Sequence, residues 1–282
     1  MSSWLEPLAS VANNLINKAS DVAGWVVNHD TPQKEAIKTY IQGIQESDLD
    51  PLTKAALISG AKKAIKDYQN QNKIVENAIQ YLKPTATPQL VNNDWMAQFL
   101  DKARLVADSD FQLIWGKILA EECNAPGSIP KALLHVLEQM DKQHAEAFSK
   151  VCSCSVCCET EGEVQYIPII SHCRYQEYFD AMGLSYDVLV DLKSVGLIDV
   201  DIPVIGDDSY IQTDLTSPKV WYFGSTYTLP DGKDTIDMGN VIFTRIGKAL
   251  CKAVGQEKVD DFFEKCCVPF WQLRDSQERQ GE

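Results

Sequence analysis

The chain has 282 residues, 45% of them hydrophobic, and a formal net charge of −14 at pH 7. That length accommodates two domains, and that apolar fraction is enough to build packed cores. No window of about 18 apolar residues occurs, which argues against integral membrane insertion, and the first residues lack the basic stretch and apolar run of a secretory leader.

The charge is unevenly placed. Residues 1–83 hold nine Lys and nine Asp or Glu, whereas residues 84–282 hold 17 basic and 31 acidic residues and so carry the whole net charge. An acidic chain lacks the broad basic face that replaces phosphate counterions, which argues against nucleic acid as a partner. The same field weakens binding to anionic membranes. Nine cysteines are an odd number, and Cys157–Cys158 and Cys266–Cys267 are adjacent, so a regular disulfide framework is not expected. Without an export signal they read as reduced cytoplasmic thiols that serve as small buried hydrophobes.

In chain order, Trp4, Leu8, Val11, Leu15, Ile16, Ala19, Val22 and Val26 recur at spacings of three and four. This predicts an amphipathic helix over 3–28. Asn28 to Pro32 breaks it. Thr31 is placed to cap a second helix over 32–46, with Ile37, Tyr40, Ile41 and Ile44 on its buried face. Pro51 opens a third helix reaching about residue 82, and the pattern shifts near Gln69 to Asn72, which predicts a kink or a second helix there. Lys83 to Pro88 reads as a linker.

Asn92 to Asp94 offers a cap for a helix holding Trp95, Met96, Phe99, Leu100 and Ala103. Asp108 to Asp110 caps the next, with Phe111, Leu113, Ile114, Trp115, Ile118 and Leu119. Ser128 caps a helix from about Pro130 to Gln139, and Asp141 caps one that runs into the cysteine-rich segment. Gln165 to Ile170 is β-like. Ser185 caps a helix ended by Gly196. Alternating β patterns follow at Tyr210–Leu215 and Val220–Leu229, with a tight turn at Asp231-Gly232. Val241–Phe243 is a short strand, and Thr244 caps a last amphipathic helix that runs on towards Phe262 and Phe263.

The predicted fold class is therefore mainly α. A helical region over 1–83 and a central helical domain over 89–160 precede a small α+β module over 165–270, with a polar tail at 271–282.

Two resemblances follow from particular motifs. The order helix, Leu197-Ile198, hairpin, then Phe243-Thr244-Arg245-Ile246-Gly247-Lys248-Ala249-Leu250 resembles the end of a winged-helix domain over residues 175–264. The resemblance implies a DNA-binding or protein-contact module. The seven basic and 16 acidic residues of that stretch favour protein contact, and the aromatic-rich insert from Ile205 to Lys233 departs from the pattern. Asn93-Asp94-Trp95…Phe99, then Trp115-Gly116-Lys117-Ile118-Leu119-Ala120-Glu121-Glu122, then Pro126-Gly127-Ser128 resembles an uncharacterised bacterial family over about residues 90–250. That resemblance implies no reaction. It implies an association with prophages and phage defence.

The candidate sites each carry a bland alternative. Cys154 and Cys157 with His172 and Cys173 would supply four ligands for tetrahedral zinc. The adjacency of His172 and Cys173 and the apolar setting favour core thiols, so zinc is the only cofactor considered and none is expected. A Cys–His nucleophilic pair of Cys173 and His144 is left open. Trp4 and Trp25 at the ends of the first helix, and Trp221, Tyr222 and Phe223 in the β-rich insert, are candidate contact residues. Trp115 and Gly116 read as close helix packing, and Glu121 and Glu122 point about 100° apart on a helix, so they do not converge as an acid–base pair. The function expected is a non-enzymatic interaction protein with a protein partner and possible self-association. A nucleic-acid regulator and a cysteine-based enzyme or effector are the alternatives.

Overall fold

The structure, a computed structural model, describes residues 5–23, 32–200, 211–230 and 233–272, and of residues 5–7, 32–37, 172 and 173 only the backbone. The chain divides into two compact units, residues 1–134 and 135–282. No helix among the described residues is long and apolar enough to cross a membrane.

The first unit is helical. It contains α1 (Leu5–Ala23), α2 (Pro32–Glu46), α3 (Pro51–Ile79), a 3₁₀ turn at Pro88–Leu90, α4 (Asn93–Ala103), α5 (Ser109–Asn124) and the start of α6 (Lys131–Gln139). Side-chain caps set the starts. Asp50 accepts from the N–H groups of Leu52 and Thr53, Asn92 from Trp95, and Asp108 from Asp110 and Phe111. Each such cap stabilises its helix by about 1 kcal/mol.

Helix α3 runs unbroken through the predicted kink at 69–72. Two of the polar residues there, Asn70 and Gln71, turn inward instead. The Asn70 amide donates to the Arg104 carbonyl at 2.8 Å, and that of Gln71 to the Leu100 carbonyl at 2.9 Å. The interruption of the apolar stripe is thus a bonded contact with the end of α4, and nothing is left unpaired to break the helix.

Trp95 stacks on Phe99 at 5.1 Å, and Phe99 meets Trp115 at 5.2 Å, to form the centre of this core. By contrast, no residue of α3 before Asn70 is buried; Leu52 is 80% exposed, and Tyr40 on α2 and Leu57 on α3 are exposed too.

The second unit mixes helices and short strands. After the rest of α6 come α7 (Lys142–Ser153), β1 (Ser155–Thr160), β2 (Glu163–Pro168), α8 (His172–Ala181, kinked at Tyr175), α9 (Tyr186–Ser194) and β3 (Ile198–Val200). Then follow β4 (Ile211–Asp214), β5 (Lys219–Tyr222), β6 (Ser225–Thr228), β7 (Thr235–Gly239), β8 (Val241–Phe243), α10 (Arg245–Val254) and a π-helical turn at Phe263–Cys267. A four-stranded antiparallel sheet has the order β2-β1-β5-β6; β3 pairs with β8 and β4 with β7.

Several local readings change here. The cysteine-rich segment leaves its helix at Ser153 and becomes β1. Val220–Leu229 is two strands joined by a turn at Phe223 and Gly224, whose φ angles of 43° and 93° match the hairpin twist. Helix α10 stops at Val254 because Gly255 turns left-handed (φ 80°), so Phe262 and Phe263 belong to a separate segment. Helix α8 and strand β7 were not foreseen. The predicted turn at Asp231-Gly232 lies outside the described residues.

The mainly α reading with a small sheet region in the C-terminal half agrees with the structure. Its second core gathers Phe148 against Phe243 at 5.6 Å and Tyr222 against Phe262 at 5.3 Å. Thr244 ties α10 to the α9–β3 connection, donating to the Gly196 carbonyl at 2.6 Å and accepting from the Gly247 N–H at 3.0 Å. Gly247 is required at this crossing, since a Cβ there would overlap the Leu197 carbonyl oxygen.

Candidate functional site

Cys152, Cys154, Cys158, Cys251, Cys266 and Cys267 are buried in the second unit, and Cys157 is half-buried. Burial pushes Cys266 up to about 11 and Cys158 up to about 12, and it raises Cys152, Cys154 and Cys267 as well. Cys157 rises by burial as well. A protonated thiol is a poor nucleophile and a poor metal ligand.

Cys154 ends α7 among Cys266 and Cys267, whereas Cys157 lies on β1 and its thiol points to the side-chain oxygen Oε1 of Gln256 at 4.0 Å. Among the described residues no group of three or more His, Cys, Asp or Glu could hold a metal ion. The side chains of His172 and Cys173 lie outside the described residues, as do Trp4 and Trp25. His144 sits at the start of α7, where it forms a reciprocal cap: its N–H donates to Asp141 Oδ1 at 2.9 Å, and the Asp141 N–H donates to its Nδ1 at 3.2 Å. That ring nitrogen is engaged locally rather than free to serve as a base.

The aromatic triplet is split by the period-two alternation of β5. Tyr222 turns into the core, where its hydroxyl donates to the Ser153 carbonyl at 2.9 Å and accepts from the Val259 N–H at 2.8 Å. Trp221 projects to the other face. Register places it opposite Cys157 and Thr226, with Tyr166 opposite Cys157 in turn, so Tyr166, Cys157, Trp221 and Thr226 form one row across the sheet. Val164 and Glu159 make the next pair on that face; Val164 is 68% exposed. Phe223 sits at the hairpin tip, 48% exposed. Val164 and Tyr166 were missed in the sequence. The signal was the Glu161-Gly162 turn between two short runs, both residues left-handed (φ 54° and 79°), which marks a hairpin.

A cleft of about 450 Å³ lies between α7 and α9, lined by Asp141, His144, Glu146, Lys150 and Asp191 over Ala147, Val188 and Leu192. Three carboxylates give its rim an acidic character.

The motif residues of the first unit are structural. A Cβ on Gly116 would lie 2.6 Å from Asn77 Cβ, so glycine lets α5 press against α3. Glu122 is 1% exposed and accepts from the N–H groups of Gly127 at 2.7 Å and Ile129 at 2.9 Å. It clasps the Pro126-Gly127-Ser128 turn. Burial raises its pKa despite those two bonds. Trp115 fills the core between them, its indole N–H without a partner.

No curated protein and no solved structure matches the chain. A family model matches residues 60–267, a span that takes in the Trp115–Glu122 helix, the glycine turn after it and most of the second unit. The chain therefore belongs to the family described as protein of unknown function DUF2806.

Proposed function

We propose that the chain is an interaction protein that docks onto a protein partner through the outward face of its four-stranded sheet. The observation that carries this is the row of Trp221 and Tyr166 beside exposed Val164, with Phe223 at the adjoining hairpin tip. Aromatic side chains joined to apolar neighbours are the groups that dominate binding energies in protein interfaces. The acidic rim of the α7–α9 cleft favours a partner with basic residues.

A winged-helix-like role for this unit draws support from the element order α8, α9, β3, β8 and α10, with β4 to β7 inserted between the paired strands β3 and β8. The first unit adds self-association, supported by exposed Tyr40, Leu52 and Leu57 on α2 and α3. The biological setting proposed is the bacterial cytoplasm, in phage defence or as a prophage accessory.

Co-purification of the tagged chain from its native host is the test. A partner retained by the wild-type chain and lost from Trp221→Ala supports docking through the sheet. A clean monomer with no retained protein counts against it. Duplex DNA binding is the rival role of the same winged-helix-like order. A gel shift at low salt that weakens as salt rises would favour it, and no shift at low salt would remove it.

A further inference from the structure

Of the buried polar side chains described in the second unit, Ser153, Ser155 and Asp237 are bonded, and Thr160, Ser171 and Asn240 each hold an unpartnered atom. Ser153 and Ser155 donate to the carbonyls of Ser149 and Val151, and Asp237 accepts from Gln212 at 2.9 Å. Three neighbours differ. Ser171 Oγ, Arg174 Nη1 and Asn240 Oδ1 are sealed from solvent and have no hydrogen-bond partner. Ser171 is 2% exposed and Asn240 4%.

The backbone brings these three together. Ile170 and Gly239 form a parallel bridge, in which the Ile170 N–H donates to Met238 at 3.2 Å and the Asn240 N–H to Ile170 at 2.9 Å. Gly239 permits it, with φ at 92° and no room for a Cβ against the Ile170 carbonyl. Residues that follow a bridged pair in parallel chains emerge side by side on the opposite face. Here those residues are Ser171 and Asn240. Arg174 stands one turn further along α8, its N–H donating to the Ser171 carbonyl at 3.2 Å, and residues three apart share a helix face.

Ser171 is the N-cap of α8, yet its hydroxyl caps no N–H of the helix. That hydroxyl is left to another partner. Arginine is a permanent cation, and a sealed N–H of a cation without an acceptor opposes folding.

We propose that Ser171, Arg174 and Asn240 form a binding site for a small tetrahedral oxyanion of the phosphate class. Arg174 supplies the planar fork of donors that suits phosphate, and Ser171 donates its hydroxyl. A half-turn of the Asn240 amide puts its NH₂ where Oδ1 now stands, so all three side chains present donors. The acidic charge of the surrounding unit opposes any anion, so binding here relies on direct bonds rather than long-range attraction.

Calorimetric titration and thermal unfolding of the full chain with inorganic phosphate, against sodium chloride of equal ionic strength, test the site. One phosphate per chain is expected, with a saturable rise in Tm. Arg174→Met should weaken binding by about tenfold or more, while its own Tm without phosphate equals or exceeds that of the wild type, because a sealed, unpartnered guanidinium N–H is gone. Ser171→Ala serves as the second variant should Arg174→Met not fold; it should weaken binding several-fold. A phosphomonoester such as glycerol phosphate forms the other arm. Tighter binding of the ester than of free phosphate assigns the site to a phosphorylated small molecule; equal or weaker binding assigns it to the free anion. No saturable effect of either, or the same Tm rise in the folded variants, overturns the proposal and leaves these groups to buried water.

Discussion

In the first unit three of the four buried polar side chains described close on backbone: Asn70 on Arg104, Gln112 on Val106, and Glu122 on Gly127 and Ile129. In the second unit Ser171, Arg174, Asn240 and Thr160 end in sealed atoms without a partner, and Trp221, Val164 and Phe223 face outward. In the first unit the Trp115 indole N–H likewise has no partner. Polar groups paired within a fold define its shape, whereas unpaired ones and exposed aromatics are suited to contact something else. The comparison assigns docking of a protein partner to the second unit and leaves to the first its shape and, through exposed Tyr40, Leu52 and Leu57, self-association. It is broken if substitutions in the first unit change binding alone, or if substitutions on the outward sheet face unfold the protein.

The largest effect is expected at the helix crossing of the first unit. Gly116→Val inserts side-chain atoms where Asn77 Cβ and the Ala78 backbone already stand, and overpacking of this kind destabilises by about 3 kcal/mol. A urea midpoint unchanged from wild type would contradict the close contact. Glu122→Ala removes the acceptor of two buried N–H groups and should cost about 2 kcal/mol in the same measurement.

Glu122 also sets a pH dependence. Its folded pKa is raised, mainly by burial, so the folded state takes up a proton more readily than the unfolded one. The stability it contributes is full below the ordinary value of 4.5 and is lost as pH rises through the folded value. Glu122→Gln, which cannot titrate, should lack that part of the pH slope. Parallel slopes for variant and wild type would refute the assignment.

In the second unit the expected effects on stability are smaller. Tyr222→Phe removes the hydroxyl between Ser153 and Val259 and should cost about 1 kcal/mol. Phe223→Gly relieves a left-handed residue in the hairpin turn and should change stability by less than about 0.5 kcal/mol while weakening partner retention. Smallest of all is the chemical signature of the thiols. In the native protein at neutral pH, Cys157 should alkylate ahead of Cys154, Cys158 and Cys266, as read by mass spectrometry of the modified peptides, because it is the half-exposed one. Rapid modification of Cys154 would place a reactive thiol where burial argues for an inert one.

How far the sequence anticipated this structure depended on what each residue type signals locally. Helices with a capping Asp or Asn and a clear apolar stripe, such as α4, α5 and α7, were legible from Asn92, Asp108 and Asp141 alone. Polar residues that bond inward misled: Asn70 and Gln71 look like a break and are a contact. Helix α8 was hidden because His172 to Ala181 has no apolar stripe of its own. Strand β1 was hidden because Cys157 and Cys158 signal neither helix nor strand. The contact residues were half legible. Trp221, Tyr222 and Phe223 stood out by type, but only the register of β5 separates the buried Tyr222 from half-buried Trp221 and exposed Phe223, and only the pairing of β1 with β2 adds Tyr166 and Val164 to the same face. The unpaired trio at Ser171, Arg174 and Asn240 has no sequence signal, since it depends on a bridge between residues far apart in the chain.

The division of labour between the units is tested most directly by one paired experiment: retention of a protein partner by the Trp221→Ala, Phe223→Gly double variant, with its urea midpoint measured alongside. The structure predicts a folded protein, within about 1 kcal/mol of wild type, that no longer holds the partner bound by the wild-type chain. Undiminished retention of that partner by the folded variant would contradict docking through the outward face of the sheet.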